Sequence, residues 1–259
     1  MRPILFQFFS IKLYSYGLLA ALAFLAAFFY ISRNVKKSKP ALIEQDALQN
    51  LFFYCAIAAI VGARAFYVLT NLDAFLFAPL DVFKIWEGGL VYYGGLVCAV
   101  AFAVFYLKKY KIPALKFSDI IAPALALGHS IGRLGCLFAG CCYGKPSNVF
   151  WGITFTNSDT LAIKGVSLHP TQLYEAFFNF LIFAVLHLYN KKTHKNGKTA
   201  GFYLILYSCM RFIIEFFRGD ERGRFFLGLS PSQNISIILF AAGLSFLFFI
   251  RRQKNDAAN

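Results

Sequence analysis

Apolar residues run along this chain in long blocks that show little helical periodicity within themselves. Seven blocks stand out, at about 14–32, 48–70, 88–107, 118–138, 172–190, 199–217 and 231–250. A helix that crosses a bilayer needs roughly 20 mostly apolar residues, and each block meets that length. Segments apolar on nearly every side suit helices surrounded by lipid. The pattern therefore predicts an all-α, polytopic membrane protein with seven transmembrane helices. It forms a single integral-membrane domain over residues 1–259, with little chain left for a soluble domain.

The breaks between blocks carry the charge. Arg33, Lys36, Lys37 and Lys39 follow the first block, and Lys108, Lys109, Lys111 and Lys116 the third. Lys191, Lys192, Lys195 and Lys198 follow the fifth, and Arg251, Arg252 and Lys254 the seventh. These alternate stretches hold fifteen of the 26 basic residues, so they belong on one side, and the positive-inside rule makes that side cytoplasmic. The N-terminus is then outside and the C-terminus inside. The first block is expected to remain as a helix. Its apolar run is long for a signal peptide, and its stronger positive flank lies on the C-terminal side. The outside loops, about 71–87, 143–171 and 218–230, are rich in aromatics, Gly and Pro and are expected to pack at the interface.

Composition sharpens this picture. Apolar residues make up 59% and charged residues 15%, with 32 Phe and a mean hydropathy of +0.59. A soluble domain carries about 45–50% apolar and about 25% charged residues, which argues against a soluble enzyme or a disordered chain. The net charge of +14 would fit nucleic acid, but its placement beside apolar blocks fits lipid headgroups, and no nucleic-acid partner is expected.

The candidate chemistry lies in charges inside apolar blocks. Arg64 lies in the second block, Arg133 in the fourth and Arg211 in the sixth. Glu215 follows Arg211 by one turn, and Arg218 comes a turn later. A buried i,i+4 ion pair accounts for Arg211 and Glu215 in structural terms. Three intramembrane cations with fewer acid partners point instead to an anionic guest, and arginine's fork suits phosphate oxygens. In a bilayer that guest is a phospholipid headgroup. Two glycine-rich stretches lie nearby, G-G-L-V-Y-Y-G-G at 88–95 and G-H-S-I-G-R-L-G-C-L-F-A-G-C-C-Y-G at 128–144. Close helix packing explains isolated glycines; the density of the second stretch favours a broken or re-entrant segment. Cys136, Cys141 and Cys142 have C-x4-C-C spacing, which is not a zinc pattern, and adjacent cysteines should point in different directions, so they are read as small buried hydrophobes, with no metal expected. His169 opens H-P-T-Q-L-Y-E, which reads structurally as a helix start with Thr171 as a possible cap. His187 and His194 read as headgroup contacts.

Six of these stretches, taken in order, resemble the prolipoprotein diacylglyceryl transferase family over nearly the whole chain. They are Y-S-Y-G at the first block, the Arg64 segment, the two glycine-rich stretches, H-P-T-Q-L-Y-E, and the helix carrying Tyr207, Arg211, Glu215 and Arg218. The resemblance implies transfer of the diacylglyceryl group of phosphatidylglycerol to the lipobox cysteine of a preprolipoprotein signal peptide. A thioether forms and glycerol 1-phosphate leaves, the first step of bacterial lipoprotein maturation. It implies a multi-pass protein of the cytoplasmic (inner) membrane, acting as a monomer with no cofactor. Arg133 and Arg211 fall on the family's two essential arginines, Tyr16 and Tyr207 on its conserved tyrosines, and Gly144 on its signature glycine. Arg64, His169, Glu215 and Arg218 match supporting, substrate-binding positions. Tyr93 stands where the family places a His proposed as base, and Cys136 and Cys141 replace its Asn and Glu. With tyrosine titrating near 10, activation of the thiol is assigned to the arginine field rather than to Tyr93. A lateral opening between helices is expected, because the lipid tails stay in the bilayer. Two alternatives remain open: a relative using the same lipid pocket for another acceptor, and a phospholipid-binding membrane protein without chemistry.

Overall fold

A computed structural model describes residues 1–8, 11–38, 42–192, 195–220 and 228–252. A short hairpin, β1 (Ile4–Phe8) with β2 (Ile11–Tyr14), leads into α1 (Ser15–Lys37). Then come α2 (Gln45–Thr70), the short α3 (Leu72–Phe77), α4 (Tyr92–Lys109) and α5 (Ala114–Ala139). A two-stranded patch, β3 (Ile153–Thr154) with β4 (Ser167–Leu168), precedes α6 (Thr171–Asn190), α7 (Lys198–Glu215) and α8 (Pro231–Arg252). Each predicted block thus contains one long helix. Five of these, α1, α2, α5, α6 and α8, are long and apolar enough to cross a membrane. The other two carry charge: α4 ends on Lys108 and Lys109, and α7 contains Lys198, Arg211 and Glu215. The chain is an all-α membrane protein, with the two hairpins as small additions that the block pattern does not predict.

The chain divides into two compact units. Residues 32–117 form one and residues 1–31 with 118–259 the other. In the first, α2 and α4 pack at very close range. A Cβ on Gly62 would come 2.5 Å from Cβ of Cys98, and one on Gly95 would come 2.8 Å from the Ala59 carbonyl. Without a hydrophobic force between helices in lipid, such close backbone contact supplies the attraction. The third block starts its helix later than the apolar pattern suggests. Gly88 and Gly89 have φ of +90° and +70°, so they turn the chain before Tyr92.

The larger unit is polar inside and apolar outside. Along α6, Gln172, Glu175 and Asn179 are fully buried, whereas Phe177, Phe180 and Leu181 are exposed. Along α7, Arg211 and Glu215 are buried while Ile213 and Phe216 are exposed. Such an exterior is stable only in lipid. Ala122, Ala126, Ile182, Leu186, Met210 and Ile214 form an apolar core shared by α5, α6 and α7. The N-terminus of α7 follows Gly197 and lacks a cap of its own; Asp119 accepts from the Gly197 and Ala200 amides at 2.7 and 3.0 Å instead. His187 hydrogen-bonds with the Tyr30 hydroxyl at 2.9 Å, so it is held by protein rather than by headgroups alone. His194 lies outside the described residues.

The stretch 128–144 is not re-entrant at its start. The helix α5 runs unbroken to Ala139, because Gly128 and Gly135 serve close packing on α1. A Cβ at Gly128 would lie 3.3 Å from the Ala23 carbonyl, and one at Gly135 3.3 Å from Leu19 and from the Tyr16 ring. The break comes at Gly140, whose φ is +73° and whose missing side chain makes room for Thr160.

Candidate active site

Three helix ends of the larger unit converge on one carboxylate. Glu175 lies one turn into α6 and is 0% exposed. Arg133, near the end of α5, brings Nε to 2.7 Å from Glu175 Oε2, and its N–H points at His129 Nε2 at 3.0 Å. Arg211, from α7, places Nη1 3.6 Å from Glu175 Oε1 and Nη2 2.7 Å from Glu215 Oε2. Arg218, just past α7, donates Nη1–H to Glu175 Oε1 at 3.2 Å and clasps Asp220 through two 2.7 Å bonds. Ser232 of α8 accepts from Arg211 Nη2 at 2.9 Å. In the contact with Arg133, His129 Nε2 is therefore the acceptor nitrogen of its ring.

Two of the three intramembrane arginines, Arg133 and Arg211, thus have acid partners, whereas Arg64 is held by backbone carbonyls. Among the described residues, Arg133, Arg211 and Arg218 face Glu175, Glu215 and Asp220, three charges against three. The cluster is nevertheless under-satisfied. Nη1 of Arg211 and Oε2 of both Glu175 and Glu215 are buried without a hydrogen bond of good geometry. Buried polar groups of this kind are costly in low dielectric, and a cationic donor left this way can receive an anion.

The chain after α5 forms the floor of the cluster. The Gly144 amide donates to the His169 carbonyl at 3.0 Å, the Lys145 amide to the Phe217 carbonyl at 2.8 Å, and the Gly219 amide to the Tyr143 carbonyl at 3.0 Å. A Cβ on Gly144 would lie 2.5 Å from both Cβ and the carbonyl oxygen of His169. Gly144→Ala is therefore expected to lose about 1–3 kcal/mol of stability by overpacking, read as a lower unfolding temperature in detergent. Thr171 does not cap α6. It is the first helical residue, after Pro170, and its hydroxyl donates to the Cys142 carbonyl at 2.8 Å.

With this geometry in place, comparison with known proteins becomes specific. A family model described as prolipoprotein diacylglyceryl transferase matches residues 3–249. The chain belongs to the prolipoprotein diacylglyceryl transferase family. It is 37% identical to the phosphatidylglycerol–prolipoprotein diacylglyceryl transferase of Clostridium tetani, over 97% of this chain and 98% of that one. It is 36% identical to transferase 2 of Clostridium perfringens, over 94% and 93% of the two chains, and 34% identical to the Geobacter sulfurreducens transferase, over 97% and 96%.

Among the positions that the family resemblance selects, Arg133, Arg211, Glu215 and Arg218 meet around Glu175. Tyr16 packs its ring on Gly135, two residues from Arg133. The Tyr207 ring lies 5.5 Å from that of His129. Gly144 and His169 bond through the backbone, and the His169 ring faces Phe217 and Tyr174. Arg64 and Tyr93 belong to the smaller unit. Arg64 spends four N–H groups on the backbone carbonyls of Val82 (2.9 Å), Gly88 (2.8 Å), Gly89 (3.1 Å) and Asp81. There it organises the 79–89 turns. Arg64→Ala is expected to cost at least about 1.5–3 kcal/mol, the value of one charge-assisted bond, and to open 71–91 to proteolysis. Tyr93 is exposed and meets Tyr92 edge-on at 5.6 Å.

The sequence pattern does not single out Glu175, His129, Ser232 or Asp220. Glu175 reads as a first-turn carboxylate, favourable at any helix start. The signal was its presence inside a block that also had to hold a helix against Arg133 and Arg211.

Proposed function

We infer that the protein transfers the diacylglyceryl group of phosphatidylglycerol to the lipobox cysteine of a preprolipoprotein, releasing glycerol 1-phosphate. The observation that carries this reading is the buried arginine cluster, with Arg211 Nη1 making no hydrogen bond among the described residues, in a member of this family. The cysteine sulfur forms a bond to the glycerol carbon that bears the phosphate. The C–O bond to that phosphate breaks, the electron pair leaves on the phosphate, and the thiol proton passes to phosphate or water. Arg133 and Arg211 bind the phosphate and stabilise the charge that grows on it. The same cations favour the thiolate of the incoming cysteine. Tyr16, Gly144, His169, Tyr207, Glu215 and Arg218 shape the site, and Glu215 and Arg218 hold Arg211 and Glu175 in place.

Seven spans with the N-terminus outside put this cluster near the outer leaflet of the bacterial inner membrane, and the 259 residues work as one monomeric domain. The alternating basic flanks support that topology. An apolar groove of about 340 Å³ between α7 and α8, lined by Ser208, Cys209, Phe212, Ile213, Ser236, Ile237 and Phe240, supports lateral entry of the lipid tails. Its lining includes Phe212, next to Arg211 in the chain, and Ser236, one turn after Ser232.

The test is transfer of label from radiolabelled phosphatidylglycerol to a lipobox peptide by the purified protein. Label on the peptide cysteine is the expected result. No label with lipid still bound would move the assignment to another acceptor or to lipid binding without chemistry. Tyr93→Phe is expected to keep its activity. A general base contributes about 10²–10⁴-fold, so a loss of that size with phosphatidylglycerol still bound would overturn activation by the arginines alone.

A further inference from the structure

The transfer reading makes no use of three thiols that lie beside it. The sulfurs of Cys136, Cys141 and Cys142 all lie within 4.8 Å of one another. Adjacent cysteines in an extended segment would point apart. Here Cys142 has a φ of +61°, a left-handed conformation uncommon for a residue other than glycine. It brings the Cys142 side chain back to that of Cys141. Gly140, with φ +73°, has already turned the chain toward Cys136 on α5. The backbone holding the pair is fixed by α6: Gln172 donates to the Cys141 carbonyl at 2.8 Å and Thr171 to the Cys142 carbonyl at 2.8 Å. Strained backbone held by its surroundings in this way is concentrated at functional sites.

We propose that Cys136, Cys141 and Cys142 form a three-sulfur site for a soft, thiolate-preferring metal ion of the Cu(I) class. Sulfur ligands select such ions over harder ones. Among the described residues the group holds three sulfurs and no carboxylate or imidazole, which suits a three-coordinate ion. With metal–sulfur bonds of about 2.3 Å, a trigonal ion spaces its sulfurs about 4 Å apart, so the cluster needs to contract by less than about 1 Å. Binding replaces three S–H protons with one ion and releases those protons. A monovalent ion on three thiolates leaves two negative charges. Arg218 and Arg133, both within electrostatic reach of Cys142, offset them. Cys136 is buried while Cys141 and Cys142 are partly exposed, which leaves a path for the ion. The site does not depend on the transferase reading.

The experiment uses the full chain in detergent under anaerobic, reducing conditions. The variant Cys55→Ser/Cys98→Ser/Cys209→Ser keeps the cluster and removes the other three thiols. It is titrated with Cu(I), and separately with Cd(II) as a spectroscopic stand-in, following thiolate-to-metal ultraviolet absorption. One equivalent bound per chain, with a rise in unfolding temperature, is the expected result. Adding Cys142→Ser should abolish the absorption while the metal-free unfolding transition persists; Cys141→Ser is the second variant should Cys142→Ser fail to fold. No stoichiometric binding by the triple variant overturns the site, and so does an absorption unchanged by loss of either Cys141 or Cys142.

Discussion

Arg133→Ala is expected to lower transfer to the lipobox peptide about a thousandfold or more while the protein stays folded. Removing one positioned donor from a developing oxyanion costs about 10²–10³-fold in rate, and Arg133 also carries a full charge. Folding should survive because Glu175 keeps two other cations, with Arg218 at 3.2 Å and Arg211 at 3.6 Å. Arg133→Lys keeps the charge and loses the planar fork, so it should recover part of the rate. The loss should fall mainly on kcat, since the charge it opposes grows in the transition state. An unfolding temperature that falls sharply in Arg133→Ala would instead assign the residue to the framework.

Glu175→Gln should act in the opposite way, on stability first. The shape is kept, but three guanidiniums lose the carboxylate they share. Breaking a buried ion pair by removing one partner costs about 3–5 kcal/mol. Glu215 and Asp220 still pair with Arg211 and Arg218, so Arg133 is left most exposed to the change. The expected result is a large drop in unfolding temperature, partly reversed by phosphatidylglycerol, whose phosphate supplies the missing negative charge. The same lipid should stabilise Arg133→Ala less than wild type. If lipid restores nothing to Glu175→Gln, the phosphate does not sit among these arginines.

Much of this fold is legible in the apolar blocks because lipid sets the length of each helix and alternate basic flanks punctuate them. The start of α4 is misread by four residues because Gly88 and Gly89 are apolar in a hydropathy sense yet turn the backbone. The β1–β2 hairpin escapes because its strands are short and continue into an apolar block. Arg211 with Glu215 is legible from i,i+4 spacing alone. Glu175 is not, since its partners come from two other helices and a loop. The cysteines show the same limit. Their spacing argues for divergence, and one left-handed residue, Cys142, reverses it.

The polar interior has a consequence for biogenesis. A lone Arg or Lys at the centre of an inserting helix costs about 2.5–3.5 kcal/mol. The helix α7 carries Lys198, Arg211 and Glu215, and α6 buries Glu175 and Asn179, so neither is a good solitary passenger into the bilayer. The α7 charges partly cancel within one turn, through Arg211 and Glu215 at 2.7 Å. Between helices, Arg211 also lies 3.6 Å from Glu175 of α6 and donates to the Ser232 hydroxyl of α8. The last three helices should therefore leave the translocon as a cooperating group rather than one at a time, and truncation before α8 should strand α7 at the membrane surface.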